Sequence, residues 1–383
     1  MSEKETIPDK LKDDYQIIGE AGTGGNGKCY ILTEKENPTK LYCLKTQYVK
    51  AAEIEEKKIN SIPLSPDIIK YENVEAKDSR SSWVLLDFIP GVTIQKLVEY
   101  LVKNELDFHD YQILAVFYTI SYVLKSLGGL KHRDIKPDNI IIDSNFVAHL
   151  IDFGEMKTKK TDETGRFHGE IHFTAPEAED LIYTPESDIY SLGLVLYYML
   201  FKKKPFEKFK DDKELRNCKR SEKSFIRTHN LIFPPKDPYI CTLLKQVDGM
   251  EKFGTDYNPL KPTIRDELIN IIILCTKKEK ENRPKPAKLC ESIREIAMKH
   301  LSPRKFDKFR LICLYAENSK YGEGPYGTKE LTLSCINKGF ITPESTLAGY
   351  VDNFKEILNL GSEVNDPADA KKAFDKLFCH MKI

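Results

Sequence analysis

The sequence predicts an α+β chain, with a small antiparallel sheet at the front, a mostly helical part behind it and a helical C-terminal extension. Three observations carry this reading. Between Tyr15 and Lys45, runs rich in aromatic and β-branched residues alternate with glycine and proline turns, which suits short strands joined by tight connections. From Tyr111 to Leu127 the apolar residues Leu114, Phe117, Ile120, Leu124 and Leu127 recur at the helical period, as in a buried helix. Beyond residue 300, Thr342-Pro343 caps a pattern that puts Leu347, Tyr350, Phe354 and Leu358 on one face, and Asp366-Pro367 opens a second with Phe374, Leu377 and Phe378.

Composition sets outer limits. The chain has 383 residues and 44.1 kDa, enough for two or three domains. Its 59 basic and 59 acidic residues cancel, so no overall field draws it to nucleic acid or an acidic membrane, and neither is expected as a partner. Any phosphate binding must be local. The nine cysteines are scattered, odd in number and form no CxxC pair. That pattern implies reduced thiols in a cytoplasmic setting and no structural zinc. The start, Met1-Ser-Glu-Lys-Glu, is charged and lacks the apolar run of a signal peptide. The most apolar stretch, Ile189–Phe201, is too short to span a bilayer.

The glycine-rich stretch Gly19–Leu32, GEAGTGGNGKCYIL, has two parsings. Gly22 to Lys28 satisfies GxxxxGK, the phosphate cradle of P-loop NTPases, and Gly22-x-Gly24-x-x-Gly27 satisfies the shorter GxGxxG loop. A P-loop must run into a helix whose N-terminal amides hold phosphate, and its last position needs a hydroxyl for magnesium. Here that position is Cys29, and Cys29–Thr33 reads as a strand, succeeded by a turn at Glu34–Thr39 and a second strand at Lys40–Lys45. Strand, glycine loop, strand, turn, strand describes a hairpin laid over a nucleotide.

Three further stretches agree with the hairpin. Residues 130–143 read LKHRDIKPDNIIID, residues 151–155 read IDFGE, and residues 173–180 read FTAPEAED. In this order and at these spacings they resemble the HRDxKxxN, DFG and APE motifs of the eukaryotic-type Ser/Thr protein kinases. The resemblance covers roughly Tyr15 to Met298 and implies a bilobal fold, ATP and Mg2+ as cofactors, and a protein substrate that accepts the phosphoryl group on Ser or Thr. It implies Asp134 as catalytic base, Lys136 on the γ-phosphate, and Asn139 and Asp152 as magnesium ligands; oxygen donors suit that hard cation. It implies Lys45 on the α- and β-phosphates, with Gly22, Gly24, Gly27, Cys29 and Cys43 around the nucleotide. Leu86 would be the gatekeeper of the adenine slot, and the backbone of Asp87 and Ile89 would read the adenine edge. Asp188 would brace the catalytic-loop backbone, and Arg283 would pair with Glu177.

The glutamate partner of Lys45 is chosen from Lys50–Ile62, where Glu55 has apolar neighbours at i+4 and i+7, with Glu53 and Glu56 as alternatives. The link from Lys45 is only 10 residues, shorter than the family's. The implied domains are an N-terminal extension at 1–14, a kinase domain at 15–300 and a C-terminal extension at 301–383. Within the kinase domain the small lobe covers about 15–88 and the large lobe about 91–300, with an insert at about 207–262.

The chain departs from the family pattern in several places. Glu170 stands where a threonine normally meets the catalytic Asp and Lys; a carboxylate there would pair with Lys136 or repel Asp134. Asn26 replaces an aromatic of the glycine loop. The insert carries a basic run, Lys210–Arg227, readable as a solvated helix face or as a docking patch for an acidic partner. Between Glu155 and His168, Thr158, Thr161 and Thr164 lie among lysines, with Arg133 as the expected receptor of a loop phosphate. The helices of the extension either pack on each other or the large lobe, or bind a protein partner. An active kinase is the leading reading. A pseudokinase scaffold is the alternative, and a kinase-like enzyme acting on a small metabolite or lipid is disfavoured by the APE and Ser187–Leu200 segments.

Overall fold

Two clusters of apolar side chains, one in the sheet and one among the helices, organise the chain. A computed structural model describes residues 7–24, 27–36, 41–47, 62, 68–76, 79–89, 91–103, 105, 107–143, 147–153, 169–207, 209, 211–220 and 263–318. The first five strands are β1 (Tyr15–Gly24), β2 (Gly27–Glu34), β3 (Leu41–Gln47), β4 (Ile68–Ala76) and β5 (Ser79–Asp87). They form one antiparallel sheet in the order β1-β2-β3-β5-β4. Strand alternation puts Leu32, Tyr42, Leu44, Trp83 and Leu85 on one side, where Leu11 and Tyr15 close a small core. Tyr15 meets the Tyr42 ring edge-on at 5.2 Å. The pairing of β1 with β2 runs to the register Gly24↔Gly27, so the glycine stretch is the tip of a hairpin. From Gly27 the chain continues as the strand β2 and not as a helix, which excludes the P-loop parsing.

The helical part begins after the short strand β6 (Gly91–Thr93) with α1 (Ile94–Lys103) and α2 (Asp110–Ser126). The strands β7 (Ile140–Asp143) and β8 (Ala148–Leu150) then pair antiparallel, with β7 also taking β6. Three more helices complete the scaffold of the site: α3 (Pro185–Phe201), α4 (Asp212–Arg220) and α5 (Ile264–Cys275). Two last helices, α6 (Pro286–His300) and α7 (Pro303–Asn318), pack on α2.

Local chemistry explains the boundaries. The side chain of Gln112 accepts the His109 amide at 2.8 Å where α2 starts, and Pro185 opens α3 with its preset φ. Thr263 caps α5 by accepting the Asp266 amide at 3.2 Å, while the Asp266 carboxylate accepts the Thr263 amide at 2.7 Å. The burial matches the patterning: α2 and α3 are apolar nearly all round and are buried nearly all round. Gly193 lets α3 and α5 close together, since a Cβ there would fall 2.6 Å from the Cys275 Cβ.

The helix expected at Lys50–Ile62, with Glu55, lies outside the described residues except for Ile62, which is buried in the main core. The threonines 158, 161 and 164 and both expected helices of the C-terminal extension also lie outside them. Of the insert expected at 207–262, residues 212–220 form α4 and residues 221–262 lie outside the described set. The helix α7 belongs to the stretch assigned to the extension, yet it packs into the main core through Phe309, Ile312 and Cys313. Its Glu317 reaches Tyr118, Tyr122 and Arg294, and Phe309 meets Tyr118 edge-on at 5.8 Å.

Candidate active site

The reactive residues come from short connections that longer elements hold in place. Residues 131–139 leave α2 and enter β7. Their backbone is pinned from below by Asp188 on α3, whose carboxylate accepts the amides of His132 at 2.8 Å and Arg133 at 3.0 Å. This is the brace that the sequence led us to expect. Burial pushes the Asp188 carboxyl up to about 6, against the pull of those two amides and of Arg133. Arg133 takes a left-handed φ of 74° and lays its guanidinium over the Tyr183 ring, 4.0 Å from the centroid.

His132 ties this loop to the segment carrying Asp152. Burial lowers its pKa, so the ring is neutral. Its Nδ1 accepts the Asp134 amide at 3.4 Å, which leaves Nε2–H to donate to the Ile151 carbonyl at 3.0 Å. Phe153 packs edge-on against the same ring at 4.9 Å. Asp152, between Ile151 and Phe153, takes a φ of 64°, a conformation a side chain adopts only where its surroundings hold it.

Above this frame the charged groups converge. Asp134 is buried, and its Oδ2 accepts Lys136 Nζ at 2.8 Å and Asn139 Nδ2 at 2.8 Å. The same Asn139 amide also donates to the Asp134 backbone carbonyl at 2.8 Å. Burial opposes the charge on Lys136, but Asp134 beside it outweighs burial and raises the lysine pKa. Across the cleft, Lys45 on β3 reaches Asp152 at 2.6 Å. Lys45 stands opposite Cys29 in one neighbouring strand and Val84 in the other, which fixes its direction. Five of the sequence-predicted residues, Lys45, Asp134, Lys136, Asn139 and Asp152, are thus gathered at the cleft between the sheet and the helices.

Of the remaining predicted residues, Glu55 lies outside the described set and the others belong to the sheet side of the cleft. Gly22, Gly24 and Gly27 form the hairpin tip, and Leu86 and Asp87 end β5 with Ile89 two residues on. Cys29 and Cys43 are diagonal neighbours on β2 and β3, and their contact together with burial raises the Cys43 thiol well above its ordinary range. Gly91 closes the connection: a Cβ there would fall 2.5 Å from the Ile142 carbonyl oxygen.

Glu170 corrects an expectation. Lys136 already faces Asp134, and Glu170 turns the other way to pair with Lys204 just beyond α3. The ammonium it meets is that of Lys204 and not that of Lys136, and the contact is an ion pair that leaves Oε1 without a hydrogen bond. The segment Gly169–Thr174 lies directly against the catalytic loop, with the Gly169 Cβ position 3.3 Å from the Arg133 carbonyl and 3.6 Å from Asp134 Oδ1. Its far side is held by α4. Lys219, read from sequence as part of a solvated or docking run, is buried and donates to the Thr174 carbonyl at 2.8 Å, to the Ile171 carbonyl and to Glu179 at 3.1 Å. Its only signal in the sequence is its place four residues after Leu215, on the helix face that turns inward. Glu177 takes the bidentate grip of Arg283, at 2.6 and 2.9 Å, as expected.

The donor set suits magnesium. Asn139 gives its amide hydrogens to Asp134, so its remaining group is an oxygen, and Asp152 offers a carboxylate. Two oxygen ligands from protein are what a cation that keeps waters and takes phosphate oxygens requires. Among the described residues no three His, Cys, Asp or Glu gather as a metal cluster of another kind.

Several known proteins resemble the chain in sequence. Ppk6, a serine/threonine-protein kinase of Schizosaccharomyces pombe, is 26% identical over 223 residues, covering 54% of this chain and 28% of its own length. The serine/threonine-protein kinase Nek2 of Mus musculus is 26% identical over 220 residues, covering 53% of this chain and 49% of its own. The serine/threonine-protein kinase PknD of Protochlamydia amoebophila is 29% identical over 248 residues, covering 55% of this chain and 25% of its own. In each case the match takes in less than half of the relative. Residues 15–293 match the model of the protein kinase domain, and with that span and the bilobal frame around Asp134 and Asp152, the chain belongs to the protein kinase family.

Proposed function

We propose that the chain is a Ser/Thr protein kinase that moves the γ-phosphoryl group of ATP to hydroxyls of protein substrates. The observation that carries this reading is the convergence of Lys45, Asp134, Lys136, Asn139 and Asp152 on one cleft. Ppk6, Nek2 and PknD are serine/threonine-protein kinases, which supports the acceptor class.

Each residue has a task in this mechanism. The hairpin tip at Gly22, Gly24 and Gly27 lets backbone approach phosphate, and the backbone of Asp87 and Ile89 holds the adenine edge beside Leu86, Cys29 and Cys43. Lys45 takes the α- and β-phosphates in place of Asp152. Asn139 and Asp152 would hold Mg2+, which when bound would supply positive charge against the phosphates. Asp134 Oδ accepts the proton as the acceptor hydroxyl loses its O–H bond, its oxygen bonds to phosphorus, and the bond from phosphorus to the ADP oxygen breaks. Lys136 beside Asp134 holds the γ-phosphate and offsets the charge there. Asn139 fixes the rotation of the Asp134 carboxylate, and Glu55 is proposed as the partner of Lys45 in the working state. The turn of Glu170 towards Lys204 removes one reason for the scaffold alternative.

A transfer assay with magnesium ATP and generic protein substrates tests this, with phosphoamino-acid analysis of the product. Wild type should label Ser or Thr. Asp134→Asn should lose about 10²- to 10⁴-fold in rate, the usual contribution of a positioned base, with ATP binding retained. Equal activity of wild type and Asp134→Asn would overturn the assignment.

A further inference from the structure

We infer that Lys219 on α4 is a positioning residue for the acceptor site: it holds the segment Gly169–Thr174 in place beside Asp134. The inference rests on the kinase reading for what the segment serves, and on described side chains for what holds it. The Lys219 side chain is 0% exposed, as is that of Glu179 facing it at 3.1 Å. Removing an ammonium from water is costly unless its donors are satisfied. Lys219 has three donors, and the Ile171 and Thr174 carbonyls and the Glu179 carboxylate accept from it. The Phe206 ring, 5.3 Å from Nζ, lies beside them.

The two carbonyls distinguish this arrangement from a simple ion pair. Ile171 and Thr174 belong to a turn, so no helix or strand ladder takes up their oxygens, and a buried carbonyl needs a donor from somewhere. Within the turn, the amides of Phe173 and Thr174 and the Thr174 hydroxyl all donate to the Glu170 carbonyl, at 2.9, 3.1 and 2.8 Å. The turn therefore moves as a unit. Its leading residue, Gly169, has a left-handed φ of 98° and lies against the Arg133 carbonyl and Asp134. The chain from Lys219 Nζ through the turn to the wall beside Asp134 is continuous. Glu179 compensates the charge, and the two carbonyls are what the lysine positions.

Two variants separate positioning from stability. Lys219→Met removes the donor and leaves Glu179 buried. Lys219→Met/Glu179→Met removes both charges at similar volume, which spares the fold the cost of an unpaired carboxylate. Both should lower kcat/KM for a protein or peptide acceptor by about 10- to 100-fold, the size of a small misplacement at a reacting centre. The loss should lie mainly in the acceptor KM, with the KM for ATP unchanged. Amide exchange of Phe173 and Thr174 should be faster in both variants, while the double variant melts near wild type. A double variant with wild-type acceptor kinetics and wild-type exchange at Phe173 and Thr174 would overturn the inference and leave a structural ion pair. If wild type transfers no phosphate, the kinase reading fails, and the exchange measurement still decides whether Lys219 orders the turn.

Discussion

Two lysine–carboxylate pairs flank the catalytic loop, and they are built for opposite purposes. Lys45–Asp152 spans the cleft at 2.6 Å, with side chains 15% and 21% exposed. Lys219–Glu179 lies under the platform with no exposure at all and shares its ammonium with two carbonyls. The first pair is partly open to solvent, so separating it strands no fully buried charge. The second cannot be opened without leaving a buried charge behind. Arg283–Glu177 belongs with the second kind. Its guanidinium, also unexposed, takes the Lys277, Lys278 and Glu186 carbonyls besides the carboxylate. The same residue types thus make a replaceable contact at the surface of the cleft and a permanent strut beneath it, and burial decides which.

The largest effect should come from breaking a strut. Arg283→Met should destabilise the protein by about 3–5 kcal/mol, because three carbonyls lose this donor and Glu177, left with the Ser187 hydroxyl, loses its counter-charge; denaturant unfolding measures it. A cost below about 1 kcal/mol would place this pair with the cleft pair instead. An intermediate effect is expected at Asp188. Its folded pKa of about 6 is raised above the ordinary 3.8, so the folded state binds the proton more tightly. Stability from this group is therefore fully present at low pH, falls as pH rises from about 4 to about 6, and stays flat above that. Asp188→Asn should remove that slope from the unfolding free energy measured between these limits. The smallest effect on stability should be Lys45→Met, which opens a contact that water already reaches. It should cost no more than about 1 kcal/mol while abolishing measurable phosphoryl transfer, and a large loss of stability would show that the cleft pair is a strut after all.

How much of this was legible in the sequence depended on distance along the chain. Asp134, Lys136 and Asn139 lie within six residues of one another, so one short loop carries their mutual geometry and their spacing is written directly in the sequence. The glycine hairpin and the buried helices α2 and α3 were legible for a similar reason, since period and punctuation are local. Asp188 and Arg283 were readable only because their surrounding motifs resemble a family. Glu170 and Lys219 had no such help. The partner of Glu170 is Lys204, and the partners of Lys219 lie 40 to 48 residues earlier. A lysine in a charged run reads as solvated, and only tertiary packing shows that one of them faces inward. The helix α7 was missed although Phe306, Phe309, Ile312, Cys313 and Ala316 recur at helical spacing, because the family motifs end before it and drew the reading of the extension to the stretches after residue 340.

The long reach of the braces has a consequence for the chain while it is being made. The amides of His132 and Arg133 wait for a carboxylate 56 and 55 residues downstream, and Glu177 waits for a guanidinium 106 residues downstream. At a synthesis rate of roughly 5–20 residues per second, that last interval is on the order of 5–20 s. During it, every reactive side chain has already been made while the scaffold that orients it is incomplete. A nascent chain, or one cut short before Arg283, carries the charged side chains of the site without the struts that orient them, so the geometry of the site arrives late and together with the finished fold.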